Sequence, residues 1–302
     1  MVLPSFNENI KLLKKDSEKL RLNFENIVIH SRLKDFEKRV DDSGLSIKTS
    51  LDGEEHYLIN NHLHSVGPGK YLLVNKHQSF DCYVKAEKEV EAFCFYLSEQ
   101  LIQEVINAGK YATDWHLDHF GQIDQQLPFL EKVYHMKENA LGIYLEQVVI
   151  PLIQKVLRSE VILWDFNSFY YAMAEKLVES QLDLKQQLQN LSSVKSSTKE
   201  ELYRRLSLAF AYISDNFHRD IQLDELSRIA TLSKFHLLRS FKKVYGITPY
   251  QKVLQLRLKK AKELLIKNIS LEEVAFQVGF SDRRSFTKAF KKMFGIPPST
   301  CR

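Results

Sequence analysis

The spacing of apolar residues changes along the chain and separates a strand-rich part from a helical part. Between residues 45 and 97, short apolar runs alternate with turn signals, of which Asp52-Gly53 and Gly67-Pro68-Gly69 are the strongest. Four of these runs are rich in β-branched and aromatic residues: HYLIN, KYLLVN, FDCYVK and VEAFCFYL. Short strands at this spacing predict a small antiparallel barrel or sandwich. Residues 5–40 favour no single period, so no element is assigned there.

The pattern becomes helical beyond residue 97. Ser98 is a suitable N-cap for a helix that would end at Gly109. Residues 110–128 form an irregular polar stretch. Residues 129–157 again have a helical texture, with a break expected near Pro151 because proline cannot donate the helical hydrogen bond.

The clearest helical repeat covers residues 166–191. Its apolar positions recur at steps of mostly three and four residues, as at the a and d positions of a coiled coil. These positions are Phe166, Tyr170, Met173, Leu177, Leu184, Leu188 and Leu191, with Ser180 in the remaining place. The pattern fits a seam between two copies of the chain, and it fits equally a helix that packs on its own domain.

Two similar segments lie between Leu223 and Arg302. They read LDELSRIATLSKFHLLRSFKKVYGITP and LEEVAFQVGFSDRRSFTKAFKKMFGIPP, and their matching residues keep a nearly constant spacing. Such a match indicates a repeated supersecondary unit. Each copy predicts a short helix, a turn at Thr231 or Gly279, and a second helix that ends at a glycine followed by proline. Two short helices joined by a tight turn form a helix-turn-helix.

Capping residues support these helix boundaries. Ser233 in the first copy, and Ser281 or Asp282 in the second, are N-cap types at the start of the second helix. Ser270 and Glu273 form a capping box for the first helix of the second copy, and Thr198 with Glu201 predicts the start of a preceding helix. A helix from Pro249 to Ile266 would join the two units.

The second helix of each copy also carries a cationic face. Such a helix can enter the major groove of DNA, where Arg and Lys reach guanine edges or phosphates. For a single helix, a merely solvated face would be the simpler interpretation. Repetition of the pattern in both copies favours DNA. The net charge of +5 conceals an excess of Lys and Arg after residue 199 and an excess of Asp and Glu before it.

This region resembles the DNA-binding domain of AraC/XylS-type transcriptional regulators. The resemblance is carried by the double helix-turn-helix, the FKKxxGIxP end of each second helix, the VGFSDRRSFTKAFKKMFGIPP line and the linker-helix pattern RLKKAKELL. It implies that the two recognition helices enter successive major-groove segments on one face of DNA. The implied base-reading residues are Phe235, Leu238, Arg239, Arg283, Arg284, Thr287 and Lys288. Phosphate contacts are expected from Lys234, Lys242, Lys243, Lys291 and Lys292.

Three positions depart from the family pattern. Thr231 stands where the turn usually carries glycine, Leu238 is apolar where a polar base reader is common, and Cys301 replaces an aromatic residue. Leu238 is therefore expected to touch at most a thymine methyl group.

Together these patterns predict an α+β protein. Residues 1–162 would form a β-rich sensor domain, similar to the cupin-like antiparallel barrel of the family. Residues 163–191 would form a long dimerising helix and residues 192–199 a linker. Residues 200–302 would form an all-α DNA-binding domain with two helix-turn-helix units joined by a linker helix.

The resemblance further implies a function. The chain would be a sequence-specific DNA-binding regulator, an activator, controlled by a small molecule bound in the N-terminal domain. RNA polymerase would be a partner, and the chain would be a cytoplasmic homodimer. Two alternatives stay open: the N-terminal domain acts only in dimerisation or protein contact, or it is a cupin-type metal enzyme fused to a DNA-binding module.

Other candidate chemistry lies mainly in the N-terminal part. Candidate pocket residues are His62, His64, Tyr57, Tyr71 and Tyr83. The two histidines share a strand face merely by alternation, so a metal site is not favoured. A second polar cluster, Asp114, His116, Asp118 and His119, fits a solvated loop better. No arrangement supports catalysis, so we expect neither an enzyme nor a cofactor.

Cysteine usage and hydropathy bear on the compartment. Cys82, Cys94 and Cys301 are odd in number and lack metal-type spacing, which suits free thiols in a reducing cytoplasm. We expect no membrane span and no signal peptide, since no run of 18 or more apolar residues is present and the first residues are polar.

Overall fold

The computed structural model divides into two compact units, Met1–Leu184 and Lys185–Arg302. The residues that it describes are 10–13, 26–108, 129–158, 165–189, 196–267 and 269–301. The predicted helix stop at Gly109 and the polar stretch 110–128, including its histidine and aspartate cluster, lie outside these ranges.

The N-terminal unit contains two β-sheets. The strands described are β1 (Ile10–Leu13), β2 (Ile27–Leu33), β3 (Phe36–Val40), β4 (Ser46–Asp52), β5 (Glu55–Ile59), β6 (His62–Val66), β7 (Lys70–Val74), β8 (Phe80–Val84), β9 (Val90–Tyr96) and β10 (Val133–His135). One sheet has the order β1-β2-β9-β4-β7-β10 and the other β3-β8-β5-β6. Pairing is antiparallel except between β1 and β2, which are parallel.

The α+β class with antiparallel N-terminal sheets is confirmed, but the barrel is not closed. Strands β2 and β3 follow each other closely in sequence yet belong to different sheets, so the chain crosses between layers there. The four predicted strand runs coincide with β5, β7, β8 and β9. Strand β2 was not predicted because residues 27–31 are buried on both faces and show no alternation.

The six-stranded sheet lies between helices and the second sheet. On β9, Phe93 and Phe95 pack into the core that the sheet shares with the helices. On β7, Leu72 and Val74 point the other way and pack against Tyr57 and neighbouring residues of the second sheet. The N-terminal unit therefore has three layers, with one apolar core on each side of the six-stranded sheet.

Three helices cover the outer face of the six-stranded sheet. They are α1 (Glu99–Asn107), α2 (Ala140–Leu157) and α3 (Phe166–Gln189). The Ser98 N-cap is confirmed, since its side chain accepts a hydrogen bond from the Leu101 amide.

Helix α2 runs through the predicted break at Pro151. The turn before the proline, Leu145–Val149, is a π-helix, and the α-helix resumes at Ile150. A wider turn accommodates the proline, whose ring would clash with the carbonyl four residues earlier and which lacks an N–H. By length and mean hydropathy of 1.4, α2 alone among the described helices could cross a membrane. Its buried side, including Leu141, Leu145 and Ile153, packs into the core of the unit.

Helix α3 packs on its own domain along most of its predicted seam. Tyr170, Met173 and Leu177 are buried in the core beneath the sheet. Ser180 fits the seam because its Oγ accepts a hydrogen bond from the amide of Leu141, in the first turn of α2, at 2.9 Å. Intramolecular packing thus accounts for the repeat, and the homodimer stays a prediction.

The C-terminal unit is helical. Its helices are α4 (Ser196–Asn216), α5 (Leu223–Ala230), α6 (Lys234–Tyr245), α7 (Pro249–Leu265), α8 (Leu271–Gln277) and α9 (Arg283–Phe294), followed by a 3₁₀ turn at Pro298–Cys301. Helix α4 begins before the predicted capping box, so Thr198 and Glu201 lie within it. Residues 196–199 of the predicted linker are therefore helical. Thr248 and Gln251 form a reciprocal capping box at the start of α7.

Thr231 ends α5 in the left-handed conformation, with φ 52° and ψ 43°. A β-branched residue there costs about 1–2 kcal/mol, whereas glycine adopts the conformation freely. We expect Thr231→Gly to stabilise the C-terminal unit by about 0.5–1 kcal/mol, part of the gain being offset by glycine's larger unfolded-state entropy. Urea unfolding would measure the change. Thr231→Asn should also gain stability, and a loss with both variants would contradict the strain.

Candidate nucleic-acid interface

Each helix-turn-helix buries the apolar face that its sequence predicts. In the first helix-turn-helix, Leu237 and Phe241 of α6 are fully buried, and Phe241 stacks on Phe210 of α4. In the second helix-turn-helix, Phe286 and Phe290 of α9 are fully buried against α7 and α8. The opposite faces of α6 and α9 are thereby turned outward.

Side-chain caps fix where the two recognition helices begin. The Oγ of Ser233 accepts a hydrogen bond from the His236 amide at 3.3 Å. The carboxylate of Asp282 accepts one from the Ser285 amide at 2.7 Å, and its bonds to Ser285 lower the pKa of Asp282. The N-cap Ser233 is confirmed, and of the two candidates in the second copy the N-cap is Asp282. The cationic residues that follow each cap consequently lie in the exposed first turns.

Most predicted base-reading residues are exposed. On α6, Phe235 is 75% exposed, and Leu238 and Arg239 are also accessible. On α9, Arg283, Arg284 and Lys288 are exposed, whereas Thr287 is half-buried. The Thr287 hydroxyl donates to the carbonyl oxygen of Arg283 at 2.8 Å, so its proton is engaged within the helix.

The predicted phosphate-binding lysines differ in their surroundings. Lys242, Lys291 and Lys292 are exposed in the last turns of their helices. Lys243 is half-buried. Lys234 forms an exposed ion pair with Asp224 of α5, with Nζ and Oδ1 2.6 Å apart. A phosphate would compete with this carboxylate.

Arg257 has a structural role that its place in the linker-helix pattern does not reveal. From α7 its guanidinium donates to three backbone carbonyls, those of Phe217 at 2.7 Å, Gly279 at 2.6 Å and Arg219 at 2.8 Å. Partial burial lowers the pKa of Arg257. The side chain therefore ties the end of the α4 region to the turn between α8 and α9. Its partners are distant in sequence, so no local pattern could identify them.

Gly279 explains why the second turn requires glycine. Its φ is +91°, and an added Cβ would lie 2.3 Å from the carbonyl oxygen of His218. The same carbon would lie 2.9 Å from the Cζ of Arg257. At this turn the backbone and the guanidinium approach so closely that any side chain must displace one of them.

Three of the five predicted pocket residues share a face of the second sheet, since Tyr57 of β5 stands opposite His64 of β6 and His62 lies two residues before His64. Tyr57 lies between the two sheets, whereas Tyr71 lies on the helix side and bonds Asn139. Tyr83 stacks on His56, away from the interior. The remaining pair occupies the edge strand β6, where His62 is exposed and His64 is half-buried. Strand register places Tyr71 and Tyr83 on other faces than these three residues.

Within the described ranges, no group of three or more His, Cys, Asp or Glu side chains could hold a metal ion. Cys82, Cys94 and Cys301 are free.

Comparison with known proteins identifies the C-terminal domain. Residues 226–302 match a family described as a helix-turn-helix domain. The chain is 25% identical over 234 residues to the uncharacterized HTH-type transcriptional regulator YbfI of Bacillus subtilis, covering 76% of this chain and 71% of that protein. It is 34% identical over 112 residues to the HTH-type transcriptional activator RhaS of Escherichia coli, covering 36% of this chain and 40% of that protein.

Two further similarities cover about a third of this chain, as the match to RhaS does. The probable transcriptional regulator LumQ of Photobacterium leiognathi is 36% identical over 103 residues, covering 33% of this chain and 42% of that protein. The match thus spans less than half the length of LumQ and of RhaS. Among solved structures, the chain is similar to a transcriptional regulator from Chromobacterium violaceum described as an AraC-type DNA-binding domain-containing protein. The identity is 27% and the TM-score 0.32, over 33% of this chain and 90% of that chain.

Paired helix-turn-helix units with exposed cationic recognition helices define a protein that binds double-stranded DNA, and the chain is a transcriptional regulator. Its DNA-binding domain is of the AraC type, as the resemblance in the two repeated segments predicts.

Proposed function

We propose that this regulator is a sequence-specific activator whose DNA binding is controlled by a small molecule held in the N-terminal unit. The observation that carries the proposal is a pair of exposed cationic recognition helices, α6 and α9, attached to a separate β-rich unit with its own core. Such a unit can control DNA binding only if the effector binds one arrangement of the protein better than another.

The proposed setting is a homodimer in the cytoplasm, with RNA polymerase as the partner that an activator requires. A dimer would pair two DNA half-sites. The alternative roles for the N-terminal unit are dimerisation or protein contact without a ligand, and metal-dependent catalysis. Sedimentation of the purified chain, with and without DNA, tests the dimer.

Base reading is assigned to side chains that combine exposure with suitable chemistry. Arg239, Arg283, Arg284 and Lys288 can reach guanine acceptors, and Phe235 and Leu238 can contact thymine methyl groups. Thr287 keeps its methyl group and its oxygen lone pairs for a base edge. The exposed lysines near the helix ends would bind phosphates, which position the protein without reading sequence.

We expect Arg284→Ala or Arg239→Ala to weaken binding to the preferred site by about 1–3 kcal/mol and to relax specificity at one position. Lys291→Ala should instead weaken binding to all sequences and reduce the slope of log K against log salt by about 1. The measurement is fluorescence anisotropy on sites selected from a random DNA library, at several salt concentrations.

Lys260→Ala serves as the matched control, because Lys260 lies on α7 in an exposed ion pair with Glu263. Equal losses on preferred and random DNA for Arg284→Ala would contradict base reading by that residue.

Effector control is tested with the full chain and the selected DNA. Sugars, amides, carboxylates and metal ions are added singly, and the DNA dissociation constant is compared with that of the untreated protein. A compound that changes it at least fivefold supports the proposal. No change across neutral and charged compounds would favour a dimerisation or protein-contact role.

A further inference from the structure

A lysine lies buried between the two sheets of the N-terminal unit. Lys48 of β4 is 3% exposed. Its Nζ lies 5.4 Å, 4.8 Å and 5.3 Å from the ring centroids of Tyr57, Phe80 and Tyr96. Ring faces attract a cation, but an ammonium also carries three N–H donors that need acceptors.

The acceptors around Lys48 are few. Within the part of the chain that the structure describes, Nζ donates to the Sγ of Cys94 at 3.2 Å, a weak acceptor, and also interacts with the Tyr96 hydroxyl, whereas no carboxylate lies within 4.0 Å of it. The nearby Glu55 carboxyl accepts hydrogen bonds from Tyr57 at 2.5 Å and from Ser31 at 3.3 Å, and burial raises the pKa of Glu55. Burial disfavours the charged form, but the neighbouring Cys94, Tyr96 and Cys82 raise the pKa of Lys48 overall, so the side chain is an ammonium. A buried cation without a contacting carboxylate is costly.

A second unmatched polar group lies beside it. Ser46 precedes Lys48 by two residues on β4 and so shares its face of the sheet. Its Oγ is buried and has no hydrogen-bond partner among the described residues. Buried hydroxyls in proteins are normally bonded, so an orphan one calls for a missing acceptor. The ammonium of Lys48 and the hydroxyl of Ser46, called the donor pair below, are thus two hydrogen-bond donors on one face of β4.

The surroundings of the donor pair are apolar and partly open. Ser46 stands opposite Val74 and Tyr96, and Lys48 stands opposite Leu72 and Cys94. Cys94 is half-buried although its backbone is paired on both sides, so its exposure comes from the side chain next to Lys48. The Cys94 side chain is therefore a partly exposed neighbour of Lys48.

We propose that Lys48 and Ser46 bind the carboxylate of a small organic monoanion whose apolar body lies between the sheets. This assignment rests on the proposed function, because it gives the chemical class of the effector. One carboxylate compensates one ammonium and accepts a charge-assisted hydrogen bond from it. A neutral sugar would leave the ammonium uncompensated, and a dianion would leave one charge buried without a partner.

The test uses the full chain and three carboxylates, benzoate, phenylacetate and octanoate, each with its neutral amide as the matched control. At 100 times its dissociation constant, a bound carboxylate should raise the thermal unfolding midpoint of the N-terminal unit by about 5 °C. The amides should produce no shift. Titration calorimetry then gives the affinities.

Variants assign the binding to the donor pair. Lys48→Met keeps the side-chain length and removes the charge, and it should weaken carboxylate binding at least tenfold. Ser46→Ala should weaken it about threefold to tenfold, the loss of one hydrogen bond. Lys88→Met, at an exposed position between β8 and β9, should change nothing. Without ligand, Lys48→Met should unfold at the same temperature as the wild type or higher, since a functional buried charge reduces stability.

The outcomes separate this inference from the proposed function. Carboxylates that fail to bind, together with a destabilised Lys48→Met variant, would mean that Lys48 is purely structural. A neutral compound that alters DNA affinity equally in the wild type and Lys48→Met would overturn the anion site and leave effector control intact. Carboxylates that bind through Lys48 without altering DNA affinity would establish the site and contradict effector control.

Discussion

Arg257→Ala should lower the free energy of unfolding of the C-terminal unit by about 3–5 kcal/mol. The substitution removes three hydrogen bonds to backbone carbonyls, each from a charged donor, and such bonds contribute about 1.5–3 kcal/mol apiece. Access of water to the half-buried site offsets part of the loss. The carbonyl of Gly279 lies in the turn of the second helix-turn-helix, so DNA affinity should fall as well.

Urea unfolding followed by far-ultraviolet circular dichroism measures the effect. Arg257→Lys is the matched variant, because lysine keeps the charge but cannot bridge three carbonyls in the fixed geometry of a guanidinium. It should recover only a minor part of the stability. Lys260→Ala on the same helix removes an exposed ion pair and should cost under about 0.5 kcal/mol. An Arg257→Ala variant as stable as Lys260→Ala would show that the three bonds contribute little.

Gly279→Ala is expected to destabilise the same unit by about 3 kcal/mol or more. Two costs add: a side chain at φ +91°, and a Cβ that would lie 2.3 Å from the backbone oxygen of His218. Because the obstacle is a backbone atom, no rotation of a flexible side chain can relieve it. The shift would also push away the guanidinium of Arg257.

Gly295→Ala separates these two costs. Gly295 ends α9 at φ +76°, but apart from its chain neighbours no described residue has an atom within 4 Å of the position that its Cβ would take. Its substitution should therefore cost only the left-handed conformation, about 1 kcal/mol. Equal losses at the two glycines, measured by thermal unfolding, would contradict the close approach at Gly279.

The sequence predicted the C-terminal unit well because its signals are local. Ser233 and Asp282 mark helix starts, glycines mark helix ends, and buried aromatic pairs such as Phe286 and Phe290 recur one turn apart. Because the whole pattern is repeated, each helix boundary in one copy supports the corresponding boundary in the other. Thr231 occupies a position where the family pattern has glycine, and the turn still forms because the surrounding helices hold Thr231 in the left-handed region.

Contacts between distant segments could not be read from the sequence. Arg257 reaches carbonyls far away in the chain, and Lys48 resembles any surface lysine until β4 is placed between two sheets. The pocket prediction selected histidines and tyrosines by residue type, and the burial of Lys48 follows only from the pairing of its strand. The seam of α3 had two interpretations of equal standing, and only the packing of residues such as Met173 distinguished them.

The Arg257 bridge has a consequence for the DNA sites that this protein can use. It holds the second helix-turn-helix to α7, and α7 follows directly on the first helix-turn-helix. If both recognition helices contact DNA, as proposed, the interval between the two contacted segments is set by the protein. Inserting one base pair between them would rotate one segment by roughly 34–36° relative to the other. The duplex would then have to untwist or bend to restore both contacts. The protein would therefore select operators in which the two contacted segments have one fixed spacing.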